Sequence, residues 1–233
     1  MGNPITTAGL TKELAASHRI VMLGGLAVIS HGHARPTYDA DIWLDSSLSL
    51  IAWAGAVCTL LDQSPELRFV AIGSWVVISR EQLAEVIERD GVVRLMGCNQ
   101  PLDIFRDPNE IDMSSFDEVW ERALPLEDGT RLPDAVDLLL SKQDTGRDKD
   151  LQDIAFLEAK AERDYLEKLP LADEVTARQM LARFLTPKVA EAALSHSSPA
   201  VREQGLGFLH ELAEEGNPFA AEILKGLHRA KMD

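Results

Sequence analysis

At 233 residues, with 45% hydrophobic and 26% charged residues, the chain is long enough to bury a full core and has the composition of an ordinary globular protein. Its formal net charge of −15 opposes loose binding to polyanions, so stable DNA binding is not expected and any nucleic-acid contact has to come from a local basic patch. No apolar run reaches the roughly 18 residues of a membrane span, and Cys58 and Cys98 are too far apart in sequence for a metal-ligand pair; a reduced, cytoplasmic protein without membrane association is expected.

In chain order, Thr11 is placed as the N-cap of a short first helix ending near Ala16. Residues 20–45, IVMLGGLAVISHGHARPTYDADIWLD, then read as strand, tight turn at Gly24-Gly25, short helix, loop and a second strand carrying Asp39 and Asp41. Asp45, Ser46 and Ser47 supply cap chemistry for a helix over residues 48–61, with Trp53, Val57, Leu60 and Leu61 at helical spacing and therefore in the core. Residues 67–79 are β-branched and aromatic with Gly73-Ser74 between, which predicts two short strands or one bulged strand. A helix over 81–89 ends at Asp90-Gly91, and strands over 92–96 and 102–105 pair across the loop 97–101. Residues 116–122 are helical, Asp128-Gly129 centres a hairpin, and Pro133-Asp134 opens a helix to about Gln143. The polar stretch 144–148 breaks it. From Lys149 onward the pattern is helical, interrupted at Pro170, Pro187, Pro199 and Pro218. The composition changes near residue 133, so the fold class is α+β: a mixed-sheet core over 1–132, then a helical C-terminal bundle over 133–233 whose residues 142–150 reach the site.

Four features carry chemistry. Gly24-Gly25 lets backbone N–H groups approach an anion where a side chain would intervene. Asp39 and Asp41, at i and i+2 of a strand, share one face, with Ala40, Ile42 and Leu44 on the other. Two like charges about 4 Å apart cost roughly 4 kcal/mol at an effective dielectric near 20, so the pair needs a cation, a shared proton or solvent. Asp103 sits between Leu102 and Ile104 on what reads as a central strand, where an isolated carboxylate needs a reason such as metal ligation or general-base work. Lys142, Arg147 and Lys149 offer cations to phosphate, although Asp144, Asp148, Asp150 and Asp153 are equally available to neutralise them. His31 and His33 read as packing residues at a helix end, and Trp43 as core.

These residues resemble the signature of the DNA polymerase β-like nucleotidyltransferase superfamily, in which a Gly-Gly or Gly-Ser pair is followed after a spacer by Asp-x-Asp between apolar residues. The spacer from Gly25 to Asp39 is thirteen residues here. The later acid, Asp103, the Lys142, Arg147, Lys149 and Asp150 series, and the Arg35-x-Thr37 before the acids are similar to the AbiEii-like or MenT-like toxin nucleotidyltransferases of bacteria. The resemblance covers about residues 20–155. It implies an NTP substrate and Mg²⁺ held by Asp39, Asp41 and Asp103. Asp103 would help to deprotonate an acceptor hydroxyl, with Lys142 counted among the catalytic groups. Gly24, Gly25, Arg35, Thr37, Arg147 and Lys149 would contact the nucleotide, and pyrophosphate would leave. It further implies tRNA as acceptor and a cognate antitoxin as partner. The acidity of the chain fits a cationic antibiotic of aminoglycoside or lincosamide type as the alternative acceptor. A protein hydroxyl is a third, and a non-catalytic binding protein on the same fold is the reading of another class.

Overall fold

The structure is a computed structural model that describes residues 5–108, 111–143 and 148–230. Its chain divides into two compact units, residues 1–157 and 158–233. The first unit therefore runs past the composition change at 133, and it includes residues 150 and 153 of the long helix described below.

The first unit begins with α1 (Thr7–Ala15), β1 (Ile20–Leu23), α2 (Gly24–Ser30) and β2 (Ala40–Leu44). After these come α3 (Leu50–Cys58), a 3-10 turn at Thr59–Gln63, β3 (Arg68–Val70), β4 (Val77–Ile78) and α4 (Arg80–Asp90). The unit continues through β5 (Val92–Met96), β6 (Leu102–Phe105), α5 (Phe116–Arg122), β7 (Leu124–Pro125), β8 (Arg131–Leu132) and α6 (Ala135–Leu140). The eight strands form one mixed sheet in the order β4-β3-β5-β6-β2-β1-β8-β7. Strands β2 and β6 run parallel, as do β1 and β8, and the other pairs are antiparallel. This is the α+β class with a mixed sheet.

Several predicted boundaries move for local reasons. The first helix is capped by Thr6, whose hydroxyl accepts from Gly9 N–H, and not by Thr11, which is buried inside it. The third helix starts at Leu50 because Ser49, not the 45–47 triplet, caps Ala52 N–H; its end tightens into the 3-10 turn. Asp45 instead accepts from Arg19 and from Ser47. Residues 67–79 form two strands, and strands β5 and β6 and helix α5 fall where their patterns place them.

The period of two sorts the sheet into two different faces. One face presents Ile42, Leu44, Phe69, Val93, Leu95, Leu102 and Ile104, all buried, to Leu10 and Leu14 of α1, Trp53 and Val57 of α3 and Leu83 and Ile87 of α4. The other face holds the register row Val77, Val70, Arg94, Asp103, Asp41, Leu23, each opposite the next across six adjacent strands. One level along, Trp43 is fully buried, with Phe116 of α5 edge-on at 4.9 Å and its indole N–H donating to the Arg106 carbonyl. Helix α5 thus seals the Trp43 level and leaves the charged row at the open end of the face.

The second unit takes the later part of α7 (Asp148–Lys168), then α8 (Glu174–Arg183), α9 (Pro187–Ala193), α10 (Pro199–Glu214) and α11 (Pro218–Ala230). Pro187 and Pro199 sit in the first turns of α9 and α10, where no intrahelical N–H is lost. Ala190, Leu209 and Ala220 form its buried centre.

Candidate active site

A cleft of about 270 Å³ opens on the charged row, lined among others by Gly24, Gly25, Arg35, Thr37, Asp39, Asp41, Arg94, Asp103 and Lys142. The fold therefore brings together eight of the ten residues singled out from the sequence. Arg147 lies outside the described residues, and the side chain of Lys149 is likewise not described.

Gly24 follows β1 directly and has φ of +59°, in the left-handed region that glycine tolerates. A Cβ there would fall 1.8 Å from Asp41 Oδ2, and one on Gly25 would fall 2.5 Å from Thr37 Oγ1. The glycine pair is thus a bed on which Asp41 and Thr37 lie against bare backbone. Gly24→Ala is expected to push the Asp41 carboxylate out of the cleft and to destabilise the fold by about 1–2 kcal/mol, the cost of an alanine in that conformation. Thermal melting should show the loss.

Of the three acids that line the cleft, Asp103 is the deepest, its side chain 6% exposed. Arg94, which the sequence reading passed over, grips it with two parallel hydrogen bonds, Nε to Oδ1 at 2.6 Å and Nη2 to Oδ2 at 2.7 Å. The same Nη2 reaches Asp39 Oδ2 at 3.2 Å. Burial pushes the Asp103 carboxyl above its ordinary value, and the Arg94 guanidinium pulls it partway back. Arg94 thus pairs with two of the three cleft carboxylates, Asp103 and Asp39.

Arg35 and Lys142, also in the cleft lining, are anchored by buried acids. Asp153, fully buried, accepts from Arg35 Nε and Nη2 at 2.7 Å each and pairs with Lys142 Nζ at 3.0 Å. Asp150 pairs with the same Nζ at 3.2 Å. The ion pairing read as the alternative for Lys142 is present, but as a buried network and not as a solvated helix face. His33 stacks on Phe156 at 4.7 Å, with Nε2 3.9 Å from Asp153 Oδ1, and His31 Nε2 lies 2.9 Å from the Pro133 carbonyl; both are packing residues, as expected.

Trp75, in the β3–β4 loop, places its ring centroid 5.2 Å from Arg94 Cζ. Its φ is +59°, the one positive value at a non-glycine residue among those described, and such a backbone costs about 1–2 kcal/mol.

As the side chains stand, among the described residues no three His, Cys, Asp or Glu side chains converge as ligands on one point, because Asp103 is turned onto Arg94. Asp39 and Asp41 alone supply what Mg²⁺ characteristically takes from a protein, one or two carboxylates with phosphate and water filling the rest. Both acids line the open cleft, so the donor set fits that ion. No protein-family model matches the chain, and no curated protein matches it.

Proposed function

We propose that the first unit is a nucleotidyltransferase of polymerase β-like type, which moves a nucleoside monophosphate from an NTP to a hydroxyl and releases pyrophosphate. The observation that carries this reading is the cross-strand row and what shares its cleft: Asp41 and Asp103 side by side on parallel strands, Asp39 adjacent, the glycine pair under Asp41, and two anchored cations, Arg35 and Lys142, in the same lining. Bound at Asp39 and Asp41, Mg²⁺ would supply Lewis-acid stabilisation of phosphate oxygens that gain charge.

The chain's own groups account for the rest. Arg35 and Lys142, with their counter-ions held behind them, present fixed positive charge to the β and γ phosphates and cost no reorganisation during transfer. Gly24 and Gly25, by carrying no side chain, let Asp41 and Thr37 settle against the backbone at the floor of the site. Asp103, raised by burial, accepts the proton of the acceptor hydroxyl at a carboxylate oxygen while Arg94 fixes the direction of that oxygen. The site thus works by positioning and preorganised charge.

The pH dependence follows. Protonating Asp103 removes the base, so transfer falls on the acid side, at a pH above that at which an exposed aspartate titrates. Arg94→Gln removes the group that lowers Asp103, so the acid limb of the rate profile should move to higher pH. A limb that stays in place or moves down would exclude Asp103 as the base.

The direct test is incubation with α-labelled NTPs, Mg²⁺ and either bulk tRNA or a panel of aminoglycosides and lincosamides, with Asp41→Ala as control. Label on tRNA supports a toxin-type enzyme with an antitoxin partner, and label on a drug supports the alternative acceptor. No transfer to any acceptor, together with no nucleotide-dependent rise in melting temperature, sinks the proposal.

A further inference from the structure

We infer that Trp75 is a positioning residue of this site: its indole caps the Arg94 guanidinium and keeps it seated on Asp103 and Asp39. The inference rests on the nucleotidyltransfer reading for its consequence, and on geometry for its substance.

Trp75 is 60% exposed, so core burial does not account for a tryptophan at this position. Nor does the turn, because Gly73 and Ser74 precede it in the same loop and a glycine would adopt φ of +59° without strain. The loop nevertheless holds the residue firmly. Trp75 N–H donates to the Ala71 carbonyl at 2.8 Å, and Ala71 N–H donates to the Val76 carbonyl at 3.0 Å. Beneath it, Val70 pairs in register with both Val77 and Arg94, so the hairpin rises from the strand next to Arg94 and its tip reaches over β5. A large ring is thus held in an unfavourable backbone conformation, mostly in water, where its one described ring contact is the guanidinium that grips the buried acid.

That contact closes the outer face of a planar cation whose edge is already committed. Nε and Nη2 are spent on Asp103, and Nη2 is shared with Asp39. A cation over an indole face is attracted by the ring quadrupole, and the ring excludes water that would otherwise compete for the same N–H groups. Without it Arg94 sits less firmly on these partners and loses its fixed plane, and with it the direction in which the Asp103 oxygens point.

The test compares wild-type, Trp75→Ala, Trp75→Phe and Trp75→Gly chains. The first readout is exchange of the Arg94 Nε–H with water, followed by ¹⁵N NMR with no nucleotide present. Exchange should be about fivefold faster in the alanine variant, the factor expected for loss of one cation–π contact. It should lie near wild type in Trp75→Phe. Melting temperature should hold within a few degrees in Trp75→Ala and rise in Trp75→Gly, which relieves the backbone strain. In the transfer reaction, kcat should fall about fivefold in Trp75→Ala with KM for the NTP unchanged, and Trp75→Phe should restore most of it. Unchanged Arg94 exchange in Trp75→Ala overturns the inference. Because exchange is read without substrate, a wild-type chain that transfers nothing strikes the enzymatic reading, and the exchange result still decides the role of Trp75.

Discussion

Asp41→Asn is expected to lower nucleotidyl transfer by about a hundredfold to a thousandfold while leaving the melting temperature within a few degrees of wild type. The size of the effect follows from where Asp41 sits. It lies on β2 between Leu23 and Asp103 in the row, pressed against Gly24, and the amide keeps its shape and volume. What the amide lacks is the full negative charge that, with Asp39, fits a divalent cation on phosphate, and removing one preorganised electrostatic partner of a transition state typically costs 10²–10³ in rate. The melting temperature should move little because the amide fills the same space on the glycine bed. The measurement pairs label transfer with thermal melting of the same preparation. Activity within tenfold of wild type would mean that Asp41 is a structural acid on its glycine bed and that the reaction, if any, is run elsewhere.

The parts of this site that were legible in the sequence are those whose cause is local. Period-two alternation placed Asp39 and Asp41 opposite Ala40, Ile42 and Leu44, and an acid between Leu102 and Ile104 marked Asp103 as central, where β6 indeed lies between β5 and β2. The parts that were not legible depend on register and on long sequence separation. Arg94 in VVRLM looks like an ordinary outward residue of an alternating strand. Only the antiparallel pairing across residues 97–101 sets it opposite Asp103. That pairing was itself predicted, so the signal was available: a base on one strand and an acid on the next, in matching phase. Asp153 offered no such signal. It is one of several acids in a charge-dense segment, and its partner Arg35 is 118 residues away. The parallel contact of β2 with β6, which makes neighbours of Asp41 and Asp103, likewise follows from sheet order and not from any local pattern. Helix ends moved by a few residues for a smaller reason: neighbouring Thr and Ser residues compete as caps, and packing chose Thr6 and Ser49.

Asp153→Ala should be the most destabilising single change in the first unit's polar network, by about 3–5 kcal/mol. Asp153 is fully buried and serves two cations at once, Arg35 through both of its oxygens and Lys142 through one, and both cations are themselves mostly buried, 14% and 6% exposed. Deleting the acid does not return them to water. Lys142 keeps Asp150, and Arg35 keeps one hydrogen bond to the Pro36 carbonyl, so the guanidinium carries most of the loss. At about 2–4 °C per kcal/mol for a unit of this size, the melting temperature should drop by about 10 °C. Asp62→Ala is the matched control, because it removes the partner of Arg80 in a pair exposed by 46% and 64%. Exposed pairs of that kind are worth up to about 1 kcal/mol, and less as salt screens them. The two variants should therefore differ in salt response as well as in size: raising the ionic strength should shrink the small Asp62→Ala effect and leave the large one standing. Equal, salt-sensitive losses would mean that Arg35 and Lys142 are solvated in the working protein. The proposed role of their fixed charge toward phosphate would then fall. A large, salt-insensitive loss would tie the helix that carries Asp153 to the cleft as a structural requirement, since Asp153 holds two of the cations in the cleft lining.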